Sequence, residues 1–118
     1  MDEISPLGPT QVVEIRDGRT TEWTIEPGRF GMGAGRAEEL AGGAPAENAA
    51  AVRAALSGNA PPTASAAVLL NAAAAVFVST AGAKSFDEAV EMARTALQEG
   101  AGLAALERLR SAFALPER

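Results

Sequence analysis

At 118 residues, with a formal net charge of −5 and a pI of 4.7, the chain has the length of one domain. Its cations are scattered, which excludes a general nucleic-acid binder, since that needs a basic face to displace counterions. Cysteine, histidine and tyrosine are absent, so disulfides, thiolate chemistry, Ser-His pairs and the commonest general base near neutral pH are excluded, leaving Asp, Glu, Ser and the single Lys84 for any chemistry.

The chain opens MDEISPLGPT. Asp2 and Glu3 are adjacent carboxylates followed by a loop with Pro6, Gly8 and Pro9; on residue type alone, such a pair is solvated surface. Residues 10–26, TQVVEIRDGRTTEWTIE, predict a β-hairpin, with strand-favouring Val12, Val13, Ile15, Trp23 and Ile25 around the turn signal Asp17-Gly18. A two-residue turn sets Val12 opposite Trp23. A slip of one sets Val13 opposite Trp23 and Ile15 opposite Thr21, which matches the apolar faces better, so the register stays open. Trp23 is expected to cover the seam between hairpin and helices.

Residues 27–45, PGRFGMGAGRAEELAGGAP, read as a flexible linker. Gly31, Gly33 and Gly35 do not have phosphate-loop spacing, and no GK[ST] follows. The piece 36–40 predicts a short helical turn ended by Gly42 and Gly43.

From residue 45 to 115 the pattern is helical. Pro45 suits a first helical position, and the first helix runs to Gly58 with Val52, Ala55 and Leu56 on one face. The second runs from about Thr63 to Gly82. Its Val68, Leu69, Leu70, Val76, Phe77 and Val78 point nearly all round the axis, which predicts burial on most sides. Its most apolar stretch, Ala66–Val78, is 13 residues interrupted by Asn71, short of the ~20 that a membrane span needs. With no signal peptide visible, the expectation is a cytoplasmic protein without a membrane partner. Asn48 and Asn71 lie within apolar helices and are expected to bond backbone or loops. Ser85-Phe86-Asp87-Glu88 fits a capping box, which outweighs a Ser-Lys pairing of Ser85 with Lys84. The third helix carries Phe86, Ala89, Val90, Ala93 and Leu97 on one side and stops near Gly100. The last places Leu103, Leu106, Leu109 or Arg110, and Phe113 at helical intervals.

The runs GGAPAENAAAVRAALSG, AVLLNAAAAVFV and SFDEAVEMARTALQEGAGLAALERL, together with DEISPLGPTQVVEIRDG at the front, resemble the C-terminal part of anthranilate phosphoribosyltransferase, a glycosyltransferase family related to class II nucleoside phosphorylases. The resemblance runs from Asp2 to about Phe113 and keeps four motifs in the family's order and spacing. It implies that residues 1–118 are the C-terminal part of a larger α/β domain, α+β as an isolated piece: an N-terminal hairpin followed by about four helices. It also implies transfer of phosphoribosyl from phosphoribosyl pyrophosphate to anthranilate, an early step of tryptophan biosynthesis. Mg²⁺ is the cofactor implied, with Asp2 and Glu3 as its metal-binding pair, at a reaction whose glycosyl-cation character asks for positioning and charge stabilisation rather than a strong base.

The family's GTGGD-type pyrophosphate loop and KHGNR-type segment do not occur in these residues. The expectation is therefore a piece that is inactive alone, that meets phosphoribosyl pyrophosphate and anthranilate only when the remainder is supplied, and that either self-associates or stays a helix-rich but loosely packed monomer. The alternative is a non-enzymatic interaction module that retains the fold elements; an autonomous enzyme fits least. Three stretches depart from the family: Ala44 stands where Asp is frequent, Thr63-Ala64-Ser65 where basic residues are frequent, and residues 31–36 are unusually glycine-rich.

Overall fold

The computed structural model describes residues 2–33 and 35–113. A two-stranded antiparallel hairpin, β1 (Thr10–Arg16) and β2 (Arg19–Ile25), is followed by 3₁₀ turns at Pro27–Phe30 and Ala37–Leu40, then by helices α1 (Pro45–Leu56), α2 (Pro62–Ser79), α3 (Phe86–Gln98) and α4 (Ala101–Ala112). The fold class is α+β. Residues 114 and 115, to which the predicted helical part extends, lie outside the described residues, as do Ala34 of the glycine-rich run and Met1.

The hairpin resolves the open register. Val12 pairs with Trp23 and Ile15 with Thr20, so the better apolar match, with Val13 opposite Trp23, is not adopted. The turn decides it. Asp17 and Gly18 sit at φ 49° and 72°, the doubly left-handed conformation whose twist matches that of the strands. The consequence is that Val12, Trp23 and Ile25 face the helices while Val13 and Ile15 face outward, 59 % and 75 % exposed.

The core lies between α2 and α3, where Leu69, Leu70 and Ala73 meet Phe86, Ala89, Val90 and Ala93, with Ile25 closing it from the hairpin. Alanine on both helices permits the close approach. Trp23 does cover the seam: its ring lies 5.6 Å from Phe77 and 5.4 Å from Phe86, and Phe30 reaches Phe86 at 5.8 Å, all in the tilted or edge-on geometries that aromatic quadrupoles favour. Phe30 and Met32 come from the segment expected to be a linker; the first 3₁₀ turn carries Phe30 and the loop after it carries Met32 onto the core.

Helix α2 departs from expectation in its surroundings. Leu69, Leu70 and Ala73 are buried, but Val68 and Val78 are exposed, Val78 by 75 %. α2 meets α3, the second 3₁₀ turn and α1, with the hairpin and the amino-terminal segment against its core side, and it leaves Val68, Ala72, Ala75 and Val78 exposed. At 18 residues and a mean hydropathy of 1.6 it is long and apolar enough to cross a membrane, a test that core helices of soluble proteins also pass. Helices α1 and α4 pair at one end through the Arg53–Glu107 ion pair, 3.0 Å, and through Leu56 seated on Gly102, where a side chain would collide.

Candidate functional site

The segment bearing Asp2 and Glu3 is held at nearly every residue that follows them. Ile4 packs against the core. Its N–H donates to Asn71 Oδ1 at 3.0 Å, and its carbonyl accepts from Asn71 Nδ2, also at 3.0 Å. The same Nδ2 donates to the Ala67 carbonyl one turn back, at 2.9 Å. The amide orientation is unambiguous, since a flip would set N–H against N–H and carbonyl against carbonyl. Next, the Ser5 N–H donates to Thr10 Oγ1 (3.3 Å), Pro6 is fully buried, and the Leu7 N–H donates to Ser5 Oγ (3.1 Å). The backbone just past Glu3 is therefore anchored to α2 and to the start of β1, while both carboxylates face solvent.

Chemically, the pair offers hard oxygen donors at the end of a fixed segment. Among the described residues no group of three or more acidic or other ligating side chains gathers; a metal at Asp2 and Glu3 would find two carboxylates there. That suits Mg²⁺, which keeps several waters and takes one or two carboxylates plus substrate phosphate oxygens; it does not suit Ca²⁺, which wants six to eight oxygens.

A second candidate is the cleft of about 350 Å³ between the glycine-rich loop and the start of α2, lined by Gly31, Met32, Gly33, Thr63, Ser65 and Arg94. A helix N-terminus beside a glycine loop is where a phosphate would bind. Here the place is taken. The Thr63 N–H donates to Glu39 Oε2 at 3.0 Å, and hydrogen bonds from the Thr63 hydroxyl and N–H hold the Glu39 carboxyl below its ordinary pKa. Thr63 Oγ1 also accepts the Arg36 N–H at 2.9 Å. Arg94 is turned to the Phe30 carbonyl and to Glu91 (3.3 Å). The second 3₁₀ turn thus caps α2 with a carboxylate, an arrangement sequence reasoning missed; the signals were Thr63 behind a proline pair and the acids of AEEL.

Ser85 is a cap. Its Oγ accepts the Glu88 N–H at 3.2 Å, and Glu88 Oε2 accepts the Ser85 N–H at 2.8 Å. Lys84 pairs with Glu88 at 3.4 Å rather than with the serine. Asn48 behaves as Asn71 does: Oδ1 accepts the Gly43 N–H at 2.8 Å and Nδ2 donates to the Gly43 carbonyl at 2.9 Å. With Ala44 unable to cap α1, Glu47 accepts the Ala44 N–H at 2.7 Å, leaving α1 half of a capping box.

A family model described as "Glycosyl transferase family, a/b domain" matches residues 1–103. The chain is 46 % identical over 113 residues to the anthranilate phosphoribosyltransferase of Thermomicrobium roseum, covering 93 % of this chain and 32 % of that protein. It is 44 % identical over 109 residues to that of Methylobacterium nodulans, covering 92 % and 32 %, and 41 % identical to anthranilate phosphoribosyltransferase 2 of Streptomyces coelicolor, again covering 92 % and 32 %. The chain spans about a third of the length of these curated relatives, and it belongs to the glycosyl transferase family, within that family's a/b domain.

Proposed function

We propose that these residues supply the metal-facing segment and adjoining scaffold of an anthranilate phosphoribosyltransferase, acting in tryptophan biosynthesis in the cytoplasm. The observation that carries the reading is the stretch Asp2–Thr10: it resembles the family's motif, and its backbone is tied down while its two carboxylates stay open to solvent. Asp2 and Glu3 hold Mg²⁺, directly or through water. The ion's contribution is to neutralise a multiply charged pyrophosphate leaving group. The protein's contribution here is to fix the peptide that carries the two carboxylates. Phosphoribosyl pyrophosphate and anthranilate are bound only with the GTGGD- and KHGNR-type segments present, so the 118 residues alone are inactive.

The test is reconstitution. The chain is mixed with the remaining two-thirds of the Thermomicrobium roseum relative, expressed separately, and anthranilate consumption is followed by its fluorescence. We expect no turnover by the chain alone and Mg²⁺-dependent turnover by the mixture. Asp2→Asn with Glu3→Gln removes charge and preserves shape; it abolishes most activity without weakening association. Transfer by the chain alone, or full activity in the double variant, overturns the proposal. Failure of the two pieces to associate at all favours the non-enzymatic interaction module.

A further inference from the structure

We propose that Asn71 is the positioning residue of the Asp2–Glu3 pair, clasping the Ile4 backbone on both its polar groups and so setting where the two carboxylates stand relative to α2. The inference rests on the Mg²⁺ reading given above.

Three observations carry it. The first is geometric. The Ile4 N–H belongs to the same planar peptide unit as the Glu3 carbonyl, so the bond from that N–H to Asn71 Oδ1, 3.0 Å, orients the plane next to Glu3 itself. The second bond, Asn71 Nδ2 to the Ile4 carbonyl at 3.0 Å, removes rotation about the first. A side-chain amide here does what a neighbouring strand would do, for one residue only.

The second observation is the cost of the residue. Asn is a mediocre helix former, and position 71 lies in the middle of an 18-residue helix that is otherwise built of Ala, Val, Leu and Phe in this region. An alanine would favour the helix. The polar atoms of Asn71 are spent on the amino-terminal segment, and the Ala67 carbonyl takes the remaining donor.

The third is the contrast along the segment. Asn71 bonds residue 4 across 67 positions of sequence, whereas the bonds at Ser5 and Leu7 are local. Local bonds shape the loop; beside the packing of the Ile4 side chain on the core, it is Asn71 that ties the backbone next to the acidic pair to α2.

The experiment uses the full chain, with Asn71→Leu as the near-isosteric apolar variant and Asn71→Ala as a second that keeps the helix if the first packs poorly. Two readouts are taken by NMR. Amide exchange at Ile4 reports the clasp, with Leu70 and Val90 as core references. Titration with Mn²⁺, a paramagnetic stand-in for Mg²⁺, reports metal binding through broadening of residues 2–5. We expect Ile4 exchange to speed by about tenfold in the variants, in line with the loss of one to two hydrogen bonds, with Leu70 and Val90 unchanged. We expect Mn²⁺ affinity to fall by about three- to tenfold on the same grounds. The double variant Asp2→Asn with Glu3→Gln should do the reverse, losing Mn²⁺ broadening and keeping Ile4 protection. Unchanged Ile4 exchange overturns the clasp. Broadening in the wild type that persists undiminished in both Asn71 variants overturns the positioning role alone. A wild-type chain that shows no broadening at residues 2–5 overturns the metal reading, and the positioning role with it.

Discussion

A polar side chain in an alanine-rich helix or at its edge is retained at a cost unless its atoms find partners, and here they find backbone. Asn71 takes the Ile4 peptide and Asn48 the Gly43 peptide by the same two-point geometry; Thr63 takes Glu39 and the Arg36 N–H. No buried polar side-chain atom among the described residues is left without a partner, as close-packed interiors demand. Ser85 shows the same economy at the start of α3. Ser85→Ala should destabilise by about 1 kcal/mol through loss of the N-cap, read by urea denaturation at pH 7, with no change in Mn²⁺ binding. The other half of that box adds a pH dependence. Hydrogen bonds from the Ser85 N–H and hydroxyl, with Lys84 nearby, hold Glu88 below its ordinary pKa of 4.5. A lowered folded-state pKa means stability that is present above the unfolded value and lost as pH falls through the folded one. Alanine keeps the Ser85 N–H bond to Glu88 and loses only the one from the hydroxyl, 3.1 Å, so that part of the Ser85→Ala penalty should shrink below about pH 4.5; a penalty that holds constant to pH 3 contradicts the hydroxyl–carboxylate bond. How such sites could be read from sequence differs by range. The Ser85–Glu88 box is a three-residue pattern and was legible. The Asn71–Ile4 contact was not, because nothing in either local sequence names a partner 67 positions away. Asp2 and Glu3 themselves carry no signal except through the motif that follows them.

Elements obeyed local rules wherever a turn or cap was decisive. Gly58 and Gly100, both at positive φ, close α1 and α3 where the sequence places their ends, whereas α2 stops at Ser79 and is closed by the left-handed Ala81 (φ 47°), one residue before the expected Gly82. The hairpin shows two local signals in conflict: the apolar faces favoured the slipped register, and the turn won. A two-residue turn with both residues left-handed fixes pairing geometrically, while exposing Val13 and Ile15 costs less than rebuilding the turn. Gly18→Ala tests which force governs. Nothing lies within 4 Å of where its Cβ would be, so the only penalty is a left-handed alanine, about 1–2 kcal/mol. If the turn governs, thermal stability should fall accordingly, and cross-strand contacts between Val12 and Trp23 should weaken in nuclear Overhauser spectra. A variant that moves to the Val13–Trp23 pairing without loss of stability would show that side-chain matching was sufficient after all. The 27–45 stretch misled for a different reason. Its glycines argue for a loop, and loop it mostly is, but Pro27 starts a 3₁₀ turn that sets Phe30 on Phe86. One aromatic residue outweighed the composition around it.

The molecule as a whole exposes more than a chain of its mass should. Its accessible surface is 8000 Å², against about 6000 Å² for a compact monomer of 12.0 kDa. Its radius of gyration, 16.0 Å, exceeds the ~13.5 Å of a compact domain of this length. The excess of about 2000 Å² is larger than the ~800 Å² that each partner buries in a standard interface. Part of it is apolar and localised: Val13 and Ile15 on the hairpin and Val78 on α2 are exposed, and all three line a cleft between hairpin and α2 together with Trp23, Phe77 and Phe86. Two strands with unpaired edges lie alongside, and exposed edges template further pairing. We predict that the 118-residue chain self-associates through this face. Light scattering should give a mass of at least two chains, while the near-ultraviolet dichroism of Trp23, packed among Phe77 and Phe86, stays strong because covering the cleft that these rings help to line leaves their mutual packing in place. Val13→Lys with Ile15→Lys places charge on the strand where it opposes pairing and should shift the chain towards monomer with Trp23 dichroism retained. A wild-type chain that runs as a sharp monomer with full tertiary signal would mean that the exposed apolar face is tolerated in water, and self-association would be ruled out.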